Sequence, residues 1–236
     1  MTARIPPTRS DRLAGVAALG MAALYALGFV YFGVVWAYPT EAAPPDRMAY
    51  LAEHHIAVGL AYGAIYLAFG GLLSVLVVRL RDRAAQSPSI LAGVATLFGA
   101  VWVGLVVASG MLLTTGLRHT VDLAETDVPR AVDTWDTVAL LAEALGGGNE
   151  LVGGLWALLI SASLWRGRLF SKRLNGLGLT VGGIGVATVI PFETLTAAFG
   201  VVQLFWFVGV GCALLVPSAA TRSAAPTCFP LSSPSS

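Results

Sequence analysis

Charge is scarce in this chain. Asp, Glu, Lys and Arg make up 11% of its 236 residues, against 56% hydrophobic residues. An ordinary soluble domain is roughly 25% charged, so a surface wetted on all sides is excluded. Cysteine is equally sparse, with two residues. Cys212 falls in an apolar run and Cys228 in a Ser/Pro-rich tail, which excludes a disulfide framework. There is no P-loop, no dinucleotide fingerprint following a strand, no H-E-x-x-H and no G-x-S-x-G elbow. Nucleotide-driven work, nucleic-acid binding and a resident cofactor are therefore not expected. Sustained period-2 alternation is also missing, which argues against an outer-membrane barrel.

What the chain has is long apolar runs and a mean hydropathy of +0.78. About 20 helical residues cross the roughly 30 Å of bilayer hydrocarbon. Six runs are long enough to be read as spans: 13–36, 56–78, 90–113, 138–165, 174–192 and 201–216. The expected fold is all-α, a polytopic integral membrane bundle of six transmembrane helices. It comprises a cytoplasmic N-terminal segment 1–12, a six-helix domain 13–216 and a disordered cytoplasmic tail 217–236. The first run follows Arg4, Arg9 and Arg12 but exceeds an ordinary signal-peptide core and lacks an obvious cleavage site, so it is expected to be retained. "LAGVAALG" from Leu13, "LAGVATLFG" from Leu91 and "LNGLGLTVGG" from Leu174 recur 78 and 83 residues apart. Their spacing raises the idea of three parallel helical hairpins about an axis along the membrane normal. The alternative is chance recurrence of small apolar residues.

The near-neutral net charge of +1 hides a polarised molecule. Arg4, Arg9, Arg12, Arg79, Arg81, Arg83, Arg166, Arg168, Lys172, Arg173 and Arg222 are eleven of the fourteen basic residues, and all lie on one side of the spans. Eleven of the thirteen acids and all three histidines lie on the other. Basic residues mark the cytoplasmic side, so both termini are expected in the cytoplasm and the protein in the cytoplasmic (inner) membrane. The acidic side is either a by-product of that sorting or an outer face that attracts cations. The pairs Gly59/Gly63, Gly178/Gly182 and Gly209/Ala213 allow close helix approach. They serve either as internal seams or as a homodimer face.

One stretch, "EALGGGNELVGG" from Glu143 to Gly154, places carboxylates at the mouth of an apolar run. Counting back from Trp165 puts Glu143 at the interface and Asn149 and Glu150 about one turn inside it. An ionisable group at that depth is costly unless it faces a partner or water. Glu150 is therefore the leading pocket candidate, joined by Asn149, Glu143, Glu193, His55, His54, Glu53 and Gln203 at matching depth. Gly146, Gly147 and Gly148 are expected to kink or break the helix, as transporters do at ion sites. The plainer alternative is a loop–helix junction with Glu150 reaching up to the interface. A zinc or iron site is not expected, because His54 and His55 point about 100° apart on a helix and Glu143 and Glu150 lie about 10 Å apart.

The stretches "YPTEAAPPDRMAYLAEHH", "VVRLRD", "LWRGRLFSKRLNGLGLTVGGIG" and "FWFVGVGCALL" together resemble a bacterial family of six-span membrane proteins catalogued as a domain of unknown function, over residues 12–216. The resemblance implies six-helix architecture and no particular activity or catalytic residue. Two classes of function follow. One is binding or moving a small solute or ion through an outward-facing acidic pocket. The other is a membrane-embedded enzyme or a sensory or accessory protein using the same polar cluster; an enzyme is the less expected of the two. The partners expected are the lipid bilayer and a small solute or cation. In a background lacking Cys212 and Cys228, Arg81→Cys is expected to resist an impermeant thiol reagent in intact cells while His119→Cys reacts. Labelling at position 81 would reverse the topology.

Overall fold

A computed structural model describes residues 4–85, 90–190 and 192–219, without the side chains of 4–5, 146–149, 193 and 218–219. The tail residues 220–236, with Cys228, and Pro191 lie outside the described residues.

The first helix begins where Thr8 and Asp11 cap each other. The Asp11 amide donates to the Thr8 hydroxyl at 3.2 Å, and the Thr8 amide donates to the Asp11 carboxylate at 3.1 Å. This reciprocal capping box satisfies amides that have no partner inside the helix. From there α1 runs Arg9–Val35, its last turn, Tyr31–Val35, wound as a π-helix. Pro44 at the first helical positions starts α2, Pro44–Ala84, which contains a second π stretch at Gly63–Ala68. Next come α3, Ile90–Ala124, and α4, Val128–Arg166, the latter capped by Asp127 accepting from the Arg130 amide. Ser171 caps α5, Lys172–Ala187, and α6 is Glu193–Leu215. Two short strands, β1 (Arg4–Ile5) and β2 (Ser218–Ala219), pair antiparallel and bring the two ends of the helical region together.

The described residues are thus helical apart from that one pairing and the connecting turns. Among the described residues, α1, α2, α3 and Thr194–Leu215 of α6 are long and apolar enough to cross a membrane. Between 28% and 44% of their most apolar windows is buried inside the protein, so much apolar surface faces outward, as suits a membrane-embedded protein. Each helix packs against the next in sequence, and α6 returns to α1 to close a ring.

Glycine sets how closely that ring closes. Trp102 of α3 lies over Gly153 of α4, and Trp156 of α4 lies over Gly99 of α3. A Cβ at either glycine would sit 2.8 Å from the facing indole. The backbones of Gly154 and Gly185 meet even more closely, and Gly178 and Gly182 of α5 also lie against α4, which makes that pair an internal seam. Gly59 and Gly63 behave differently: a Cβ at the first would sit at an ordinary 3.9 Å from Leu117, and the second faces open space. Trp102, Trp156, Trp206, Phe207 and Phe69 then form an aromatic column with ring centroids 5.4 to 5.9 Å apart along Phe69–Trp102–Trp156–Trp206.

The helix boundaries depart from the apolar runs. Helix α2 starts at Pro44 rather than Ile56, α3 continues to Ala124 rather than Leu113, and α4 starts at Val128 rather than Val138. Segments expected as polar loops therefore continue the helices by ten residues or more, roughly 15 Å. They enclose a second core of Met48, Leu51, Val58, Leu117, Trp135 and Val138. The apolar spacing in "MAYLAEHHIAV" and "AVDTWDTVALLA" is helical, and these polar faces need only one buried stripe. In the other direction α5 ends at Ala187, short of Phe192, and α6 starts at Glu193 rather than Val201.

The opposite, basic end is held by an ion cluster. Asp11, 2% exposed, accepts from Arg79 at 2.7 and 2.9 Å and from Arg83 at 2.6 and 3.0 Å, tying α1 to α2.

Gly99→Ala is expected to destabilise the purified protein by about 1–3 kcal/mol, because the added methyl overpacks Trp156 and Val77. Gly104→Ala, where nothing lies within 4 Å, is the control and is expected to leave the melting temperature unchanged or raise it. Equal melting of the two variants would refute the tight-seam account.

Candidate functional site

Glu150 sits on α4 where the two cores meet. The helix is unbroken through Gly146–Gly148, so the expected break is absent. Each glycine costs roughly 1 kcal/mol of helix propensity relative to Ala, yet α4, which packs against α3 and α5, stays helical through them. Gly185 of α5 comes against the Glu150 carbonyl, where a Cβ would sit 2.7 Å away, so the two backbones touch at this level.

The Glu150 side chain is half-buried and lines two cavities. The first, about 480 Å³, lies among α1, α2, α3, α4 and α6. Seven of its thirteen lining residues are aromatic: Tyr25, Phe29, Phe32, Tyr66, Phe69, Trp102 and Phe199. The second, about 710 Å³, lies towards the acidic end and includes Glu143, Tyr62, Thr188 and Thr196. The cavities meet at Phe32, Tyr66 and Glu150. Neither lining contains Lys, Arg or His among the described residues. Among the described side chains Glu150 accepts no hydrogen bond and pairs with no cation. Tyr25 and Tyr66 line the first cavity with it.

Both π stretches border this space. Phe32 and Gly33 come from the π turn of α1, and Ile65 and Tyr66 from that of α2. A π turn inserts a residue, shifts the helical face and locally widens the helix, and such turns are frequent at functional sites. With Gly28 and Gly33 contributing no side chain, the wall of α1 stays recessed.

The remaining candidates are scattered. Glu143 is exposed, two turns along α4, and lines the second cavity. The side chains of Asn149 and Glu193 lie outside those described. His54 donates through Nδ1 to the Tyr50 carbonyl at 2.9 Å and His55 to that of Ala52 at 2.6 Å, and Glu53 is exposed. None of those three lines either cavity. Gln203 is fully buried in α6, away from both cavities, and neither its carbonyl nor its amide group has a hydrogen-bond partner among the described residues. Near that end Tyr38 accepts from Arg47 Nε at 3.1 Å, and Arg47 also pairs with Asp136, joining α2 to α4. Thr114 donates to the Gly110 carbonyl at 2.8 Å. Among the described residues no three His, Cys, Asp or Glu side chains converge as a metal site.

The aromatic wall was not among the residues expected at the site. Tyr25, Tyr62 and Tyr66 lie inside apolar runs rather than at their ends, and phenols placed beyond the interface were the available signal. Comparison with protein families, with curated proteins and with solved structures finds no match in any of the three.

In a background lacking Cys212 and Cys228, Glu150→Cys in purified protein is expected to react with a small aqueous thiol reagent. Gln203→Cys is expected to react at least tenfold more slowly. Equal rates would mean that the cavities do not open to water.

Proposed function

We propose that the protein is a multi-pass protein of the bacterial cytoplasmic membrane that binds or moves a small solute or ion through an outward-facing acidic pocket centred on Glu150. The observation that carries this reading is a half-buried carboxylate at the junction of two cavities, with no cation beside it among the described side chains. Placing a carboxylate out of water is costly, and the cost is recovered when a cationic or hydrogen-bonding ligand completes its coordination.

In this reading the six helices are six spans, as in the bacterial family the sequence resembles, the repeats that begin at Leu13, Leu91 and Leu174 make three hairpins, and both termini are cytoplasmic. The basic end, with Arg79, Arg81, Arg83 and Arg166, then faces the cytoplasm, and the long ends of α2, α3 and α4 project outside. The close seam at Gly178 and Gly182 is occupied by α4, so a homodimer face would fall to the open surface at Gly63.

The test is a thermal-shift screen of purified protein against inorganic cations, organic cations and neutral solutes. Glu150→Gln, which keeps shape and removes charge, is expected to weaken any ligand found by at least tenfold, about 1.4 kcal/mol, with the ligand-free melting temperature unchanged. Glu150→Leu separates the alternatives further. Higher stability with undiminished binding would make Glu150 a tolerated interfacial residue and end this reading.

A further inference from the structure

We infer that the first cavity is a cage for an organic monocation, a substituted ammonium with an apolar body, rather than for a metal ion or an anion. This rests on the proposal that the pocket at Glu150 binds a ligand and specifies its chemical class.

Three observations carry it. The cavity presents one carboxylate, from α4, to a wall built mainly of rings contributed by α1, α2, α3 and α6. Aromatic faces attract a cation within about 6 Å of their centroids, and the attraction grows as water is excluded. A substituted ammonium has a diffuse charge and weak hydration, so it gives up little on entering such a wall. A hard cation such as magnesium or calcium needs six or more oxygen ligands, whereas the side chains here offer one carboxylate and the phenols of Tyr25 and Tyr66. The lining has no basic side chain among the described residues, which removes any counter-charge for an anion.

Size and access agree. About 480 Å³ falls within the range of small-molecule sites, roughly 300–1,000 Å³, and exceeds what a bare or singly hydrated metal ion fills. The second cavity adds Glu143 on the approach to Glu150. Two carboxylates along one path raise the local concentration of cations at the entrance, while only the inner one meets the aromatic wall.

The probe is benzyltriethylammonium, titrated calorimetrically into the purified full-length protein, with sodium chloride, magnesium chloride and sodium benzenesulfonate as comparisons. The organic cation is expected to bind at least tenfold more tightly than sodium or magnesium, and benzenesulfonate not at all. Tyr66→Leu and Tyr25→Leu are each expected to weaken it by roughly 3- to 30-fold, the range of a cation–π contact. Tyr66→Phe, which keeps the ring, is expected to retain binding, and melting curves confirm that each variant is folded. Undiminished binding in both Leu variants overturns the cage and leaves the acidic pocket standing. Binding of sodium or magnesium through Glu150 without the organic cation overturns the ligand class alone. If no ligand of any class, neutral solutes included, binds the wild-type protein, this inference and the proposed function both fail.

Discussion

The seating of tryptophans on glycines is the contact on which the rest of the bundle depends. Trp102 over Gly153 and Trp156 over Gly99 are reciprocal, so α3 and α4 can lie together only where both glycines lack side chains. Gly154 and Gly185 extend the same closeness to α5, and Gly15 meets the Gly211 carbonyl where α6 closes on α1. Where hydrocarbon surrounds a protein, burial from water gives little drive for one helix to choose another, and close backbone packing supplies it. The seam between α1 and α2 is built otherwise. Gly28 stands at ordinary contact distance from Ile65, Gly33 faces open space, and π turns shift the facing surfaces. The aromatic cavity lies on this looser side.

Among the described residues two carboxylates leave the bulk solvent, Asp11 buried and Glu150 half-buried, and their surroundings differ. Asp11 receives two guanidinium groups and the Thr8 hydroxyl, so its charge is fully met by the protein. Removing one member of such a cluster typically costs several kcal/mol because the others remain buried and unpaired. Its role is to clamp α1 to α2. Glu150 has no comparable company among the described side chains; it has rings and space. The same chemistry that makes Asp11 structural in its setting makes Glu150 the place to look for a ligand.

The second core explains how such a site is supported. The continued ends of α2, α3 and α4 bury Leu51, Leu117 and Trp135 against one another, and the Arg47–Asp136 pair links α2 to α4 at that end. This cap holds Phe32, Tyr62 and Tyr66 from above while the aromatic column holds Phe69 and Trp102 from below. Glu150 is placed between two packed bodies rather than on a loop, which favours a fixed geometry.

The sequence alone determined the helical class, the long apolar runs, the separation of basic from acidic residues along the chain and the place of Glu150 beside an apolar run. Each of these is a local property, set by composition and by the helical rise per residue. The ends of α2, α3 and α4 were legible only in part. Hydropathy marks where hydrocarbon would stop, but a helix continues wherever one apolar stripe such as Met48–Leu51–Val58 finds a partner. The triple glycine read as a break because propensity is local, while the packing of α4 against α3 and α5 is not. What only the tertiary structure decided is the company Glu150 keeps. His55, close in expected depth, lines neither cavity, whereas Tyr25 and Tyr66, from two other helices, line the first cavity with it. Helix rotation is fixed by glycine contacts and π turns acting between chain segments far apart in sequence, and no single-helix periodicity encodes that.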